Sequence, residues 1–103
     1  MTRNQVVETL TEIMNQRPDI VKMNIGKDDK DYFPTKRGTL VVDDNMLEFY
    51  FAPYGYVAEG KCLSDVVFSV SLSSLTEIAL GRHSYGYVLH VYTQDGDFFN
   101  SVL

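Results

Sequence analysis

The stretch YVLHVYTQDGDFFNSVL, residues 87–103, constrains this chain more than any other, because two alternating runs meet at Asp95-Gly96. A two-residue hairpin turn needs positive φ, which glycine adopts without steric cost. Read as that turn, the segment sets Thr93 opposite Phe98, Tyr92 opposite Phe99, Val91 opposite Asn100, His90 opposite Ser101 and Leu89 opposite Val102. Directly opposite residues share a face. One face then carries Tyr87, Leu89, Val91, Thr93, Phe98, Asn100 and Val102, and the other Val88, His90, Tyr92, Phe99, Ser101 and Leu103. Both are rich in apolar side chains, so both need cover; an apolar face left in water beside an open sheet edge aggregates.

One amphipathic element is long enough to supply cover. Over residues 4–16, Val6, Val7, Leu10, Ile13 and Met14 recur at helical spacing among Gln5, Glu8, Thr9, Glu12 and Gln16. Thr2 stands three residues before Gln5 in the pattern of a capping box, and Pro18 stops the helix by disfavouring helical geometry at Arg17. Either this helix or a second copy of the chain, as a homodimer, is expected to cover the outer face of the closing hairpin.

Between these ends the period is two. Val21, Met23 and Ile25 predict a first strand that ends at Gly26; KDDKDYFPTKR, polar and containing Pro34, predicts a loop. In GTLVVDDNMLEFYFAP, Leu40 and Val42 lead into an Asp43-Asp44-Asn45 turn, and Leu47, Phe49 and Phe51 leave it on one face. YGYVAEGKC reads as a long connection. VVFSVSL places Phe68, Val70 and Leu72 opposite Ser69 and Ser71, and a kink near Ser73 leads into a further strand. The domain expected is thus single and α+β over residues 1–103: a helix, then a β-barrel or bent sheet over about residues 20–102.

The acidic balance bears on partners. Fourteen acidic against nine basic residues give a formal net charge of -5, which opposes nucleic acid and anionic membranes, since both are held by clustered Lys and Arg. Cys62 is the only cysteine, so neither an intramolecular disulfide nor a multi-cysteine zinc site is available, and a reducing cytoplasm is the expected compartment. The first residues lack the apolar core of a signal peptide, and no run approaches the roughly 20 apolar residues of a membrane helix.

Candidate chemistry is sparse. His90 lies on a strand between Val88 and Tyr92, and His83 in the turn GRHSYG; seven residues apart, they show no metal-ligand spacing, and no catalytic role is expected of them. Cys62 has no local signature of a nucleophile. Asp28, Asp29 and Asp31 lack the ligand spacing of a calcium loop. No cofactor or metal is expected. Tyr54, Tyr56 and Tyr85 fall in glycine-containing loops, where exposed tyrosine marks recognition surfaces. With Val88, Tyr92 and Phe99 on the outer hairpin face they form the expected partner-binding set.

The order of these segments, the hairpin GTLVVDDNMLEFYF, then FSVSLSSLTEIALG, then a hairpin closing on DGDFF, resembles the pleckstrin-homology and GRAM-like superfold over about residues 20–100. The resemblance implies a strongly bent antiparallel sheet or barrel of about six to seven strands that binds or scaffolds and performs no catalysis. Lipid-binding members carry basic residues near the positions of Lys27, Lys36 and Arg37; here aspartates interleave with them, which leaves at most a weak anionic-lipid contact. The family's usual C-terminal capping helix has no counterpart before Leu103. The function expected is a non-enzymatic cytoplasmic protein-binding module. The alternative is a small acidic inhibitor, of the kind carried by phages and mobile elements, that occupies a basic or nucleic-acid-binding site on its target.

Overall fold

The N-terminal helix forms as its spacing predicts. α1 spans Arg3–Asn15, and Val6, Leu10, Ile13 and Met14 are buried. Thr2 Oγ1 accepts from the Gln5 amide at 3.2 Å while Gln5 Oε1 accepts from the Thr2 amide at 2.9 Å, the reciprocal box that satisfies two donors at the helix start. The computed structural model describes residues 1–16, 29–60, 66–96 and 98–103; the strand expected at Val21, Met23 and Ile25, and the stop at Pro18, lie outside them.

A four-stranded antiparallel sheet follows, β1 (Asp31–Pro34), β2 (Thr39–Val42), β3 (Met46–Tyr50) and β4 (Val66–Ser71), in that spatial order. The β2–β3 turn is the expected one. Asp43 Oδ1 accepts from the amides of Asn45 and Met46 at 2.8 and 2.7 Å, so the carboxylate takes over the turn's free donors. β1 corrects the reading of residues 27–37 as a loop. Tyr32 and Phe33 are both buried, and Pro34 is tolerated because β1 is an edge strand among the described residues, where a missing N–H breaks no interior ladder. The connection expected after Pro53 contains a short helix, α2 (Tyr54–Ala58), whose Tyr54 ring meets Tyr32 edge-on at 5.4 Å. Phe51 lies past the end of β3 and is half exposed.

A 3₁₀ turn at Leu72–Ser74, where the kink was expected, carries the chain into a second antiparallel sheet of β5 (Leu75–His83), β6 (Gly86–Thr93) and β7 (Phe98–Val102). Its last pairing differs from the expected register by one residue. Val88 faces Val102, Leu89 faces Ser101, His90 faces Asn100, Val91 faces Phe99 and Tyr92 faces Phe98. The Gly96 amide donates to the Thr93 carbonyl at 3.2 Å across Gln94 and Asp95, and Gly96 itself takes the left-handed position at φ +80. The glycine therefore closes a three-residue loop instead of sitting inside a two-residue one. A slip of one residue turns every β7 side chain to the other face. Phe99, Ser101 and Leu103 point inward with Leu89, Val91 and Thr93, while Asn100 and Val102 join Val88, His90 and Tyr92 outside.

This slip decides the core. Phe99 lies between Phe68 and Phe49, 4.8 Å from each ring, which packs the second sheet against the first. The buried cluster joins Val6, Leu10 and Met14 of α1 to Phe33, Leu40, Leu47, Leu89, Val91 and Leu103. α1 packs against β2 and β5. It covers the inner faces of the sheets, which corrects the expectation that it lies over the outer face of the closing hairpin. Among the described residues the two sheets are separate and do not close into a barrel. They also meet through a polar contact, Thr35 Oγ1 with the buried Ser101 Oγ at 3.1 Å. The fold is α+β: one N-terminal helix on two antiparallel sheets of four and three strands.

Candidate binding face of the second sheet

The outer face of the second sheet follows from its register. His83 stands opposite Gly86, Gly81 opposite Val88 and Ala79 opposite His90, while β7 adds Val102 beside Val88 and Asn100 beside His90. Glycine and alanine on β5 leave a gap that the histidine rings enter. A Cβ at Gly81 would lie 2.3 Å from His90 Nε2 and 3.2 Å from His83 Nε2. In that gap the two Nε2 atoms are 3.4 Å apart. This overturns the expectation, drawn from their sequence spacing, that neither histidine has a partner at chemical distance: antiparallel strands bring residues seven apart into one pair.

Both rings are held. Asn100 Oδ1 lies 2.6 Å from His90 Nδ1; a carboxamide oxygen accepts, so this contact suits the His90 tautomer with the proton on Nδ1 and the lone pair on Nε2. His83 stacks on Tyr85 with centroids 5.3 Å apart and planes 5° from parallel, and His90 stacks on Tyr92 at 6.2 Å and 19°. A groove of about 360 Å³ runs beside the pair, with Val88 and Val102 among its lining and Arg37 reaching it from the β1–β2 turn. The Arg37 guanidinium is 5.3 Å from the centre of the Phe51 ring. Tyr85, His83, His90 and Tyr92 thus follow one another ring to ring, Arg37 on Phe51 lines the same groove, and Tyr85 is 67% exposed. Arg and Tyr are enriched at protein interfaces because each combines a large contact area with a polar tip.

The six residues expected to bind a partner are distributed unequally. Tyr85 and Tyr92 are exposed on this face, and Val88 is buried in its floor. Phe99 points to the other side of the sheet. Tyr56 is exposed on α2, and Tyr54 is half-buried against Tyr32. Of the basic residues, Lys36 and Arg37 are exposed in the β1–β2 turn; Lys27, like Cys62 and Asp28, lies outside the described residues. Arg37 was expected only as a weak anionic-lipid contact, Phe51 was not among the expected site residues, and Asn100 was assigned to the wrong face. The signal for Asn100 was the three-residue loop at Gly96.

Among the described residues no three His, Cys, Asp or Glu side chains converge, and no helix is long and apolar enough to cross a membrane. Compared with known proteins, the chain matches no family model, no curated protein and no solved structure.

Proposed function

We propose that the chain is a non-enzymatic, cytoplasmic protein-binding module of pleckstrin-homology-like type, and that its partner docks on the outer face of the second sheet. One observation carries this reading: Tyr85, His83, His90 and Tyr92 form a solvent-facing row of rings in mutual contact, beside a groove that Arg37, packed on Phe51, also lines. Restricting these side chains before binding reduces the entropy lost when a partner orders them. The arrangement of four and three antiparallel strands supports the superfold. The helix on the inner faces takes the role the resemblance gives to a C-terminal cap.

A photo-crosslinking residue placed at Tyr85 or Tyr92 should trap the same partner in cells, whereas one at Val67 or Tyr56, which are equally exposed apolar positions elsewhere, should not. Equal trapping from all four positions would remove the basis for a defined face. The acidic-inhibitor alternative separates by salt: affinity that falls steeply as salt rises marks charge-driven capture of a basic site, and affinity that holds marks the aromatic face.

A further inference from the structure

We infer that His83 and His90 form a chelating site for a divalent transition-metal ion, with both Nε2 atoms as ligands and Asn100 orienting one of them. The geometry is that of two ligands on one ion. Two Zn–N bonds of roughly 2.0–2.1 Å at a tetrahedral angle place their nitrogens about 3.3–3.4 Å apart, and the two Nε2 atoms are 3.4 Å apart.

The contact at the far nitrogen of His90 also suits ligation. Metal binds the neutral imidazole through a free lone pair, and a ligating histidine ordinarily donates its other N–H to an oxygen that fixes the tautomer. His90 does this through Nδ1 to Asn100 Oδ1 at 2.6 Å. Stacking on Tyr85 fixes the plane of His83, and Gly81 leaves the space in which the two nitrogens meet. With no third protein ligand among the described residues, the ion keeps open positions for water or for a donor group on a bound molecule. This inference shares His83 and His90 with the docking reading but rests on the distance between two imidazole nitrogens, which needs no partner protein.

The test is a calorimetric titration of the full-length protein with Zn²⁺ alone, repeated with Ni²⁺ and Cu²⁺. Binding of one ion per chain is expected, strongest for Cu²⁺ by the usual order of divalent affinities. His83→Gln and His90→Gln should each weaken it by at least about tenfold, and Asn100→Leu by about 10- to 100-fold, while Asn100→Asp, a stronger acceptor for Nδ1–H, should tighten it. Acidification should release the ion, because protons compete for the same lone pairs. Each variant's far-UV spectrum and melting temperature establish that it is folded. Absence of saturable binding, or binding unchanged in either histidine variant, would overturn the assignment. Binding unchanged in Asn100→Leu, or lost alike in Asn100→Leu and Asn100→Asp, would overturn the positioning role of Asn100.

Discussion

Phe99 of β7 stacks on Phe68 of β4 with ring centroids 4.8 Å apart and planes 18° from parallel. The last strand of one sheet is thereby fastened to the last strand of the other, and Phe49 meets the same ring from β3. Phe99 is only half-buried, so Phe99→Ala should cost about 3 kcal/mol, the low end of the range for truncating a core phenylalanine. Urea denaturation measures it. A cost below about 0.5 kcal/mol, typical of a surface position, would place this ring outside the core and favour the two-residue turn.

Gly38 is where β2 begins beneath β3. A Cβ there would lie 2.1 Å from the Tyr50 carbonyl oxygen and 2.7 Å from the Phe49 ring. The oxygen belongs to backbone and cannot rotate aside, so Gly38→Ala should destabilise by about 1–3 kcal/mol, the usual cost of overpacking. A melting temperature at or above that of the parent protein would show that the β2–β3 spacing is looser than described.

At the helix, burial and charge make opposite predictions of size. Leu10 is fully buried among side chains of both sheets, so Leu10→Ala should cost about 2–5 kcal/mol. Arg3 pairs with Asp44 at 2.6 Å and Asp31 at 3.3 Å and also donates to the Asp29 carbonyl, yet Asp44 is largely in water. Arg3→Gln should therefore cost less than about 1 kcal/mol, and less again at high salt. Paired denaturation curves at two salt concentrations check both; an Arg3 effect as large as that of Leu10 would mean the ion pairs, and not the apolar stripe, hold α1 down.

Much of this fold is legible in the residues. The stripe of α1 and its Thr2–Gln5 box, the Asp43 turn, the alternation of β4 and the kink at Ser73 are local signals that the tertiary structure reinforces. β1 was hidden because its strand character rests on two residues, Tyr32 and Phe33, buried on both sides by neighbours remote in sequence. α2, at five residues, is too short to show a helical period. The face was misread for a subtler reason: Asp-Gly serves both as the core of a two-residue loop and as the end of a three-residue one. The choice between them depends on whether Phe99 or Asn100 is better buried. The histidine pair needed the β5–β6 register and the gap at Gly81 together, and neither is visible in the spacing of His83 and His90.

The inward packing of Phe99 and the place of Asn100 beside His90 both rest on the β6–β7 register, so the most direct measurement is a disulfide trap on those strands. With Cys62→Ser as background, the pair His90→Cys with Asn100→Cys joins residues that stand directly opposite on the outer face. Opposed strand residues lie within the Cα separation of about 4.4–6.8 Å that a disulfide tolerates. The pair His90→Cys with Ser101→Cys places its side chains on opposite faces and cannot be bridged without moving the backbone. Mild oxidation should close the first pair and leave the second reduced, as read by thiol titration and mass spectrometry. Closure of the second pair with the first left open would contradict the register and bring Phe99 and Leu103 to the face of His90 and Tyr92, where the proposed function needs Asn100 and Val102.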